Sequence, residues 1–303
     1  MPELPEVETI RRQLAPLVEG RRIEQIEVLD PRWPRPLAPA EIESALRGRR
    51  IETLGRRGKY LLWNLEGDLH LAQHLRMTGS VLAQPDGEPA HTRVRMLLGR
   101  RAGEGKVRLA ITDPRRFGTG ELLLGTDALT LFLDARLGLE PFDEGFTWEY
   151  LRLVMRGRTA PIKAMLLDQR RLAGVGNIYA DEALFMARLH PLRAAGSLTR
   201  AQAEALREGV IAALQAGIDA RGASIDDFRH IDGVRGSFQD RFLVHLRAGE
   251  PCVRCGRAIR KIVVAGRGTY VCEHCQPRPR RRVRQPPPEA RPGGRPARPR
   301  AAP

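Results

Sequence analysis

Cysteine is scarce. The 303-residue chain has four, all lying between Cys252 and Cys275. A secreted disulfide framework spreads its cysteines along the fold, so this confinement argues against one and predicts a metal site in a reducing compartment. Lysine is as rare: Lys59, Lys106, Lys163 and Lys261 are the only ones, although Lys and Arg together number 51 against 36 Asp and Glu. Long apolar runs are missing too. Nothing approaches the ~18 residues a membrane helix needs, and the N-terminal region lacks the apolar stretch of a signal peptide. These absences predict a soluble cytoplasmic protein without a membrane partner. A hydrophobic content of 42% excludes a globally disordered chain.

What is abundant is arginine. The formal net charge of +15 points to a polyanion, either nucleic acid or an anionic membrane surface. Its placement is uneven, since Pro277 to Pro303 holds nine arginines and one glutamate. This Pro/Arg/Gly segment cannot build a core and is expected to be a disordered tail. The length is a prior of about two domains.

Pro2 to about Leu17 reads as a helix. Glu3, Glu6 and Glu8 come early and Arg11 and Arg12 late, which suits the helix dipole, and Val7, Ile10, Leu14 and Leu17 form one apolar stripe. From Ile23 to Leu124 short apolar or alternating runs dominate: Tyr60 to Leu65, Leu69 to Leu75, Val94 to Leu98 and Val107 to Thr112, separated by Gly, Asp and Pro. One short helix begins at Pro39 and stops before Gly48. Such strands suggest a sandwich or barrel. Helical signals follow: Thr147 to Arg156, Asn177 to Ala187 and a well-capped Thr199 to Ala220.

Cys252-Val-Arg-Cys255 and Cys272-Glu-His-Cys275 form paired C-x2-C knuckles, the spacing of a closed tetrahedral Zn²⁺ site. Two disulfides or a redox pair are the alternatives. His274 sits inside the second knuckle and is expected to be a bystander. Ile259 to Val264 and Thr269 to Val271 read as a hairpin turning at Gly266-Arg267-Gly268. Zinc hairpins serve many nucleic-acid proteins, so the module alone does not name a function.

The chain opens Met1-Pro2-Glu3-Leu4-Pro5-Glu6-Val7-Glu8-Thr9. Two readings fit these residues. One is a helix start with Pro and Glu in favoured places. The other is chemical: a small second residue permits removal of Met1, exposing the secondary amine of Pro2 as a nucleophile beside a proton-shuttling Glu3.

This opening resembles that of formamidopyrimidine-DNA glycosylases, bacterial repair enzymes for oxidised purines. The resemblance continues, in order, through Gly58-Lys59-Tyr60-Leu61, His74-Leu75-Arg76-Met77-Thr78-Gly79, Asp113-Pro114-Arg115-Arg116-Phe117-Gly118, Gly174-Val175-Gly176-Asn177-Ile178-Tyr179-Ala180 and the cysteine module. It implies an α+β fold: an N-terminal β-sandwich with an N-terminal helix, a helix–two-turn–helix domain and a C-terminal zinc-finger β-hairpin. The expected boundaries are 1–135, 136–237 and 238–276, with 277–303 as the tail.

It further implies excision of 8-oxoguanine and formamidopyrimidines from duplex DNA by a monomer holding one structural Zn²⁺ on Cys252, Cys255, Cys272 and Cys275. Pro2, Glu3, Lys59 and Arg267 become the catalytic set, with Pro2 forming a Schiff base and β- and δ-elimination then cutting the strand. Glu6 is a supporting carboxylate, and Lys163 is placed near the damaged base. Lys59, His74, Asn177 and Arg267 are implied phosphate contacts, with Asn177 at a helix start whose free amides suit an anion. Met77, Arg115 and Phe117 are the set inserted into the duplex, and His91 and Arg116 are further DNA contacts. Two departures stand out. Arg93 occupies a position where many relatives have a second histidine. In the loop Gly222-Ala223-Ser224-Ile225-Asp226-Asp227-Phe228, Ala223 stands where a second glycine is common and is expected to restrict positive φ.

Two rivals remain. The sister endonuclease VIII family removes oxidised pyrimidines, but has glycine where this chain has Leu4. A non-catalytic zinc-hairpin DNA-binding protein would form no covalent adduct.

Overall fold

The computed structural model describes residues 1–224 and 231–279. Helix α1 spans Leu4–Val18, with Val7, Ile10 and Leu14 fully buried, Leu17 half-buried and Val18 completing the stripe. Strands β1 (Ile23–Val28), β2 (Ile51–Arg57), β3 (Tyr60–Leu65), β4 (Leu69–His74), β5 (Ser80–Ala83), β6 (Thr92–Leu98), β7 (Val107–Thr112) and β8 (Thr119–Leu124) follow, with helix α2 (Pro39–Leu46) between the first two. They make two antiparallel four-stranded sheets, ordered β1-β6-β7-β5 and β2-β3-β4-β8.

Period-2 alternation explains how the sheets face each other. In β6, Val94, Met96 and Leu98 point into the core while Arg95 points to solvent. Strand β3 is apolar on both faces. Leu61, Trp63 and Leu65 join the sandwich core, whereas Tyr60 and Leu62 pack outward on Phe132, Leu137 and Ala173. That outward face receives helix α3 (Thr126–Asp134), which the sequence reading missed. Its N-terminus carries no local side-chain cap: Gly125 occupies the cap position at φ 89°. Asp68, from the distant β3–β4 turn, supplies the acceptor for the Thr126 amide and hydroxyl at 3.1 and 2.7 Å.

The second core is helical: α4 (Trp148–Met155), α5 (Ile162–Leu166), α6 (Asn177–Met186) and α7 (Arg200–Asp219). Thr147 and Thr199 accept from Tyr150 and Gln202 amides as expected of caps. Leu4, at the start of α1, is buried in this second core with Phe146, Leu184, Val210 and Leu214. One helix therefore serves both cores. Charge ties them as well. Arg56 of β2 grips Glu140 at 2.6 and 3.0 Å and also reaches Glu8 of α1, which Arg11 and Arg12 bond in turn.

Strands β9 (Arg260–Val264) and β10 (Arg267–Val271) form the terminal hairpin. The turn differs from expectation. Val264 pairs with Arg267, so the turn residues are Ala265 and Gly266, both at positive φ (49° and 74°). Two left-handed residues match the twist of a tight hairpin, and Arg267 becomes the first residue of β10 rather than its apex. Four cysteine sulfurs converge within 4.8 Å of one another, with Cys255–Cys272 at 3.5 Å and Cys252–Cys275 at 3.9 Å. A Zn–S bond of about 2.3 Å sets sulfurs about 3.8 Å apart in a regular tetrahedron, so one structural Zn²⁺ fits this cluster. His274 takes no part in it. The loop segment 225–230 and the tail from 280 lie outside the described residues.

Two outcomes are expected. Chelation should release one zinc per chain, measured by native mass spectrometry. It should abolish hydrogen-exchange protection in β9 and β10 while β3, β4, β6 and β7 keep theirs. The second concerns Glu8. Burial pushes its carboxyl up, but the Arg11, Arg12 and Arg56 guanidiniums prevail and hold it at about 2. A depressed carboxyl stabilises fully above its unfolded value and loses that contribution as pH falls through the folded one. Glu8→Gln should therefore cost about 2 kcal/mol at neutral pH, with the gap closing between pH 4.5 and about 2 in chemical denaturation.

Candidate active site and nucleic-acid interface

The site is built where the first residues of the chain meet the N-terminus of α6. The Glu3 carboxylate accepts from the Ile178 amide at 3.0 Å and the Tyr179 amide at 3.5 Å. A carboxylate here satisfies orphan donors and complements the positive end of the helix. The amides of Ile178 and Tyr179 expected to be free for a phosphate are thus already taken. Asn177 is the first helical residue and not the cap, which is Gly176. Its Nδ2 donates to the Gly268 carbonyl at 3.1 Å, and its buried Oδ1 has no partner among the described residues.

The glycines of Gly174-Val175-Gly176 follow from this approach. A Cβ on Gly176 would lie 2.2 Å from Glu3 Cδ, and one on Gly174, at φ 92°, would lie 2.5 Å from Leu4 Cδ1. Gln169 fixes the loop by donating to the Val175 carbonyl at 2.8 Å and accepting from the Gly174 amide at 2.9 Å.

Glu6 lies one turn on. It accepts from the Glu3 amide (2.8 Å), the Tyr179 hydroxyl (2.7 Å) and the Ala223 amide (2.8 Å). Burial, then the charge of Glu3, raises its carboxyl above the ordinary range against these bonds. The expected penalty at Ala223 does not arise. Positive φ is taken by Gly222 (76°), whose Cβ would lie 2.9 Å from Glu6, while Ala223 has an ordinary backbone and a buried methyl.

Pro2, Glu3, Glu6, Lys59, His74, Met77, Asn177 and Arg267 line one cavity of about 400 Å³, together with Arg76, Ala223 and His245. Lys59, in the β2–β3 turn, is buried with no carboxylate partner among the described residues; burial lowers its ammonium against the pull of Glu3 and Glu6. His74 is held to about 3 by burial, then by Arg76 and Lys59. It stays neutral at physiological pH. Its Nδ1 accepts from the Arg76 amide at 2.9 Å, which leaves Nε2–H as a donor.

Other sequence candidates lie elsewhere. Lys163 is fully buried and does not line the cavity: its Nζ pairs with Asp181 at 2.7 Å and donates to Thr269 Oγ1 at 2.8 Å and the Gly268 carbonyl at 3.2 Å. It therefore secures the strand that carries Arg267. Met77 is 37% and Phe117 52% exposed, so neither is a core residue. The Asp113 carboxylate turns the second loop outward, accepting from the amides of Arg115 (3.2 Å), Phe117 (2.8 Å) and Gly118 (2.7 Å). The Arg115 guanidinium lies 5.0 Å over the Phe117 ring. Arg116, at φ 61°, is engaged by Asp30 at 2.7 and 3.0 Å. His91 is exposed and off the cavity, and Arg93 donates to the Asp113 carbonyl at 2.9 Å. Sequence reasoning missed Tyr179, Asp113 and His245. Only Tyr179 and Asp113 sat in quoted motifs that could have flagged them.

Comparison with known proteins agrees with this architecture. Residues 1–120 match the formamidopyrimidine-DNA glycosylase N-terminal domain, 137–229 the formamidopyrimidine-DNA glycosylase H2TH domain, and 249–278 the zinc finger found in FPG and IleRS. A formamidopyrimidine-DNA glycosylase of Chloroflexus aurantiacus is 45% identical over 91% of this chain and 98% of its own length. The crystal structure of the MutM (Fpg) protein from Thermus thermophilus superposes with a TM-score of 0.80 at 44% identity, covering 91% of this chain and 98% of that one. Lactococcus lactis Fpg in complex with abasic-site DNA does so at 0.84 and 36% identity, covering 91% and 100%. With three successive segments matched and relatives covered almost end to end, the chain belongs to the formamidopyrimidine-DNA glycosylase family.

Proposed function

We propose that this protein excises oxidised purines, 8-oxoguanine and formamidopyrimidines, from duplex DNA through a Schiff base on Pro2, and then cuts the strand by β- and δ-elimination. The observation that carries this is Pro2–Glu3 anchored on the α6 terminus at the mouth of a cavity rimmed by Lys59, Asn177 and Arg267. Removal of Met1 frees a secondary amine there. Its nitrogen lone pair attacks C1′ of the extruded nucleotide and the N-glycosidic bond breaks with its electrons leaving on the base. The amine then loses its proton, its lone pair expels O4′ as the C1′–O4′ bond opens and O4′ takes up a proton, and a ring-opened iminium forms. The iminium acidifies the C2′ hydrogen. Glu3, held in place by its helix-terminus bonds, moves the protons that successive loss of the two phosphates requires.

Extrusion costs on the order of a few kcal/mol, and something must fill the vacated stack. Met77, Phe117 and the Arg115 plane, projecting outward on two loops, suit an intercalating wedge. Four or five phosphate contacts imply a log–log salt slope of roughly −4. A DNA-acting monomer of this kind works in the bacterial cytoplasm on the nucleoid.

Borohydride reduction during reaction with abasic-site duplex should trap a covalent adduct, and peptide mass spectrometry should place it on Pro2 of chains that have lost Met1. An adduct on Lys59, or none, sinks the mechanism. Excision of 8-oxoguanine should exceed that of thymine glycol in matched duplexes; the reverse ranking favours the endonuclease VIII rival. Phe117→Ala should lower kcat/KM for 8-oxoguanine excision about tenfold, equivalent to about 1.4 kcal/mol. It should spare cleavage at a pre-formed abasic site, where little stacking is lost.

A further inference from the structure

We propose that His245 is a proton-linked anion contact on the cavity rim, one that engages a DNA phosphate only as imidazolium. The inference rests on the DNA reading above.

Three observations fix the ring. The amides of Leu243, Val244 and His245 all donate to the Glu182 carboxylate, at 2.8, 3.0 and 2.9 Å, so the backbone beneath the side chain is pinned. The imidazole is wedged edge-on between Phe242 and Tyr270, with centroids 5.3 and 5.0 Å away. Its Nδ1 bonds Asp181 Oδ2 at 2.8 Å, and Asp181 is fully buried and ion-paired to Lys163.

The chemistry follows from the tautomer. A carboxylate acceptor at Nδ1 keeps the proton on that nitrogen. Asp181 lies off the cavity while His245 lines it, so the edge presented to the cavity is that of Nε2, which has no partner among the described residues. In the neutral ring Nε2 is a lone pair and cannot bond an anion. Once protonated it becomes a donor, with the charge of Asp181 behind it.

The charged or titratable groups facing this ring are Asp181 and Glu182 of α6, Lys163 of α5, Tyr270 and Arg267 of β10, and Lys59, His74, Arg76, Glu3 and Glu6 around the cavity. Of these, Arg76 and Arg267 line the cavity as permanent cations. His245 adds a contact whose presence depends on pH.

The test is binding to a duplex bearing a tetrahydrofuran abasic analogue, titrated against salt at about pH 5.5 and about pH 8.5, on either side of imidazole titration. One extra phosphate contact steepens the log–log slope by about 0.9. The wild-type chain should steepen by that amount at low pH beyond any change in His245→Gln, which retains the contributions of Glu6, Lys59 and exposed His91. Equal changes in both proteins overturn the proposal. Absence of duplex binding by either protein at any pH overturns the DNA reading instead. Should His245→Gln not fold, imidazole carbon-13 shifts of the wild type at about pH 7.5 decide. His245 should move to its imidazolium signature on adding duplex, and a ring that stays neutral overturns the proposal.

Discussion

The bond between the Glu3 carboxylate and the first amides of α6 is the constraint from which the rest of the site follows. It brings the start of the chain against the start of a helix 175 residues away. Backbone can approach that closely only where side chains are missing, hence Gly174 and Gly176. The carboxylate occupies donors that the helix N-terminus would otherwise leave orphaned, so Glu3 is oriented by the fold itself. Glu6 extends the same logic one turn onward, bonding the Glu3 amide, the Tyr179 hydroxyl and the Ala223 amide in one buried cluster.

Positive charge divides by what it faces. Arg56 is consumed by Glu140 and Glu8, Arg116 by Asp30, Arg21 by Glu104 and backbone carbonyls, and Lys163 by Asp181. These hold the two cores and the zinc hairpin in register. Lys59 and Arg267, by contrast, have no carboxylate partner among the described residues and face the cavity. A net charge of +15 announces a polyanion but cannot separate these populations, because the distinction is made by neighbours remote in sequence.

Much of the fold was legible because its signals are local. The runs at Tyr60–Leu65 and Val107–Thr112 became strands over those same residues, and Thr147 and Thr199 capped the helices they precede. Helix α3 was not legible, because its cap is lent by Asp68. The site divides in the same way. Contiguous motifs announced Pro2, Glu3, the cysteines and Met77. For Lys163 a motif records only that a lysine is present; its bonds to Asp181 and Thr269, remote in sequence, were not legible. His245 lay in no motif at all. Its significance comes from Asp181 behind it and the cavity before it.

Sharing α1 between two cores has a consequence for engineering and for evolution. Leu4 anchors the helical core while Val7, Ile10 and Leu14 anchor the sandwich, and both anchors lie within residues 4–14. The two halves cannot be exchanged between relatives as separate cassettes, since the segment belonging to one completes the other. Affinity tags and fusion partners belong at the C-terminus. On the mechanism proposed above, a circular permutation that buried the original N-terminus in a linker would silence the enzyme even where the packing survived, because the Pro2 nitrogen would become an amide.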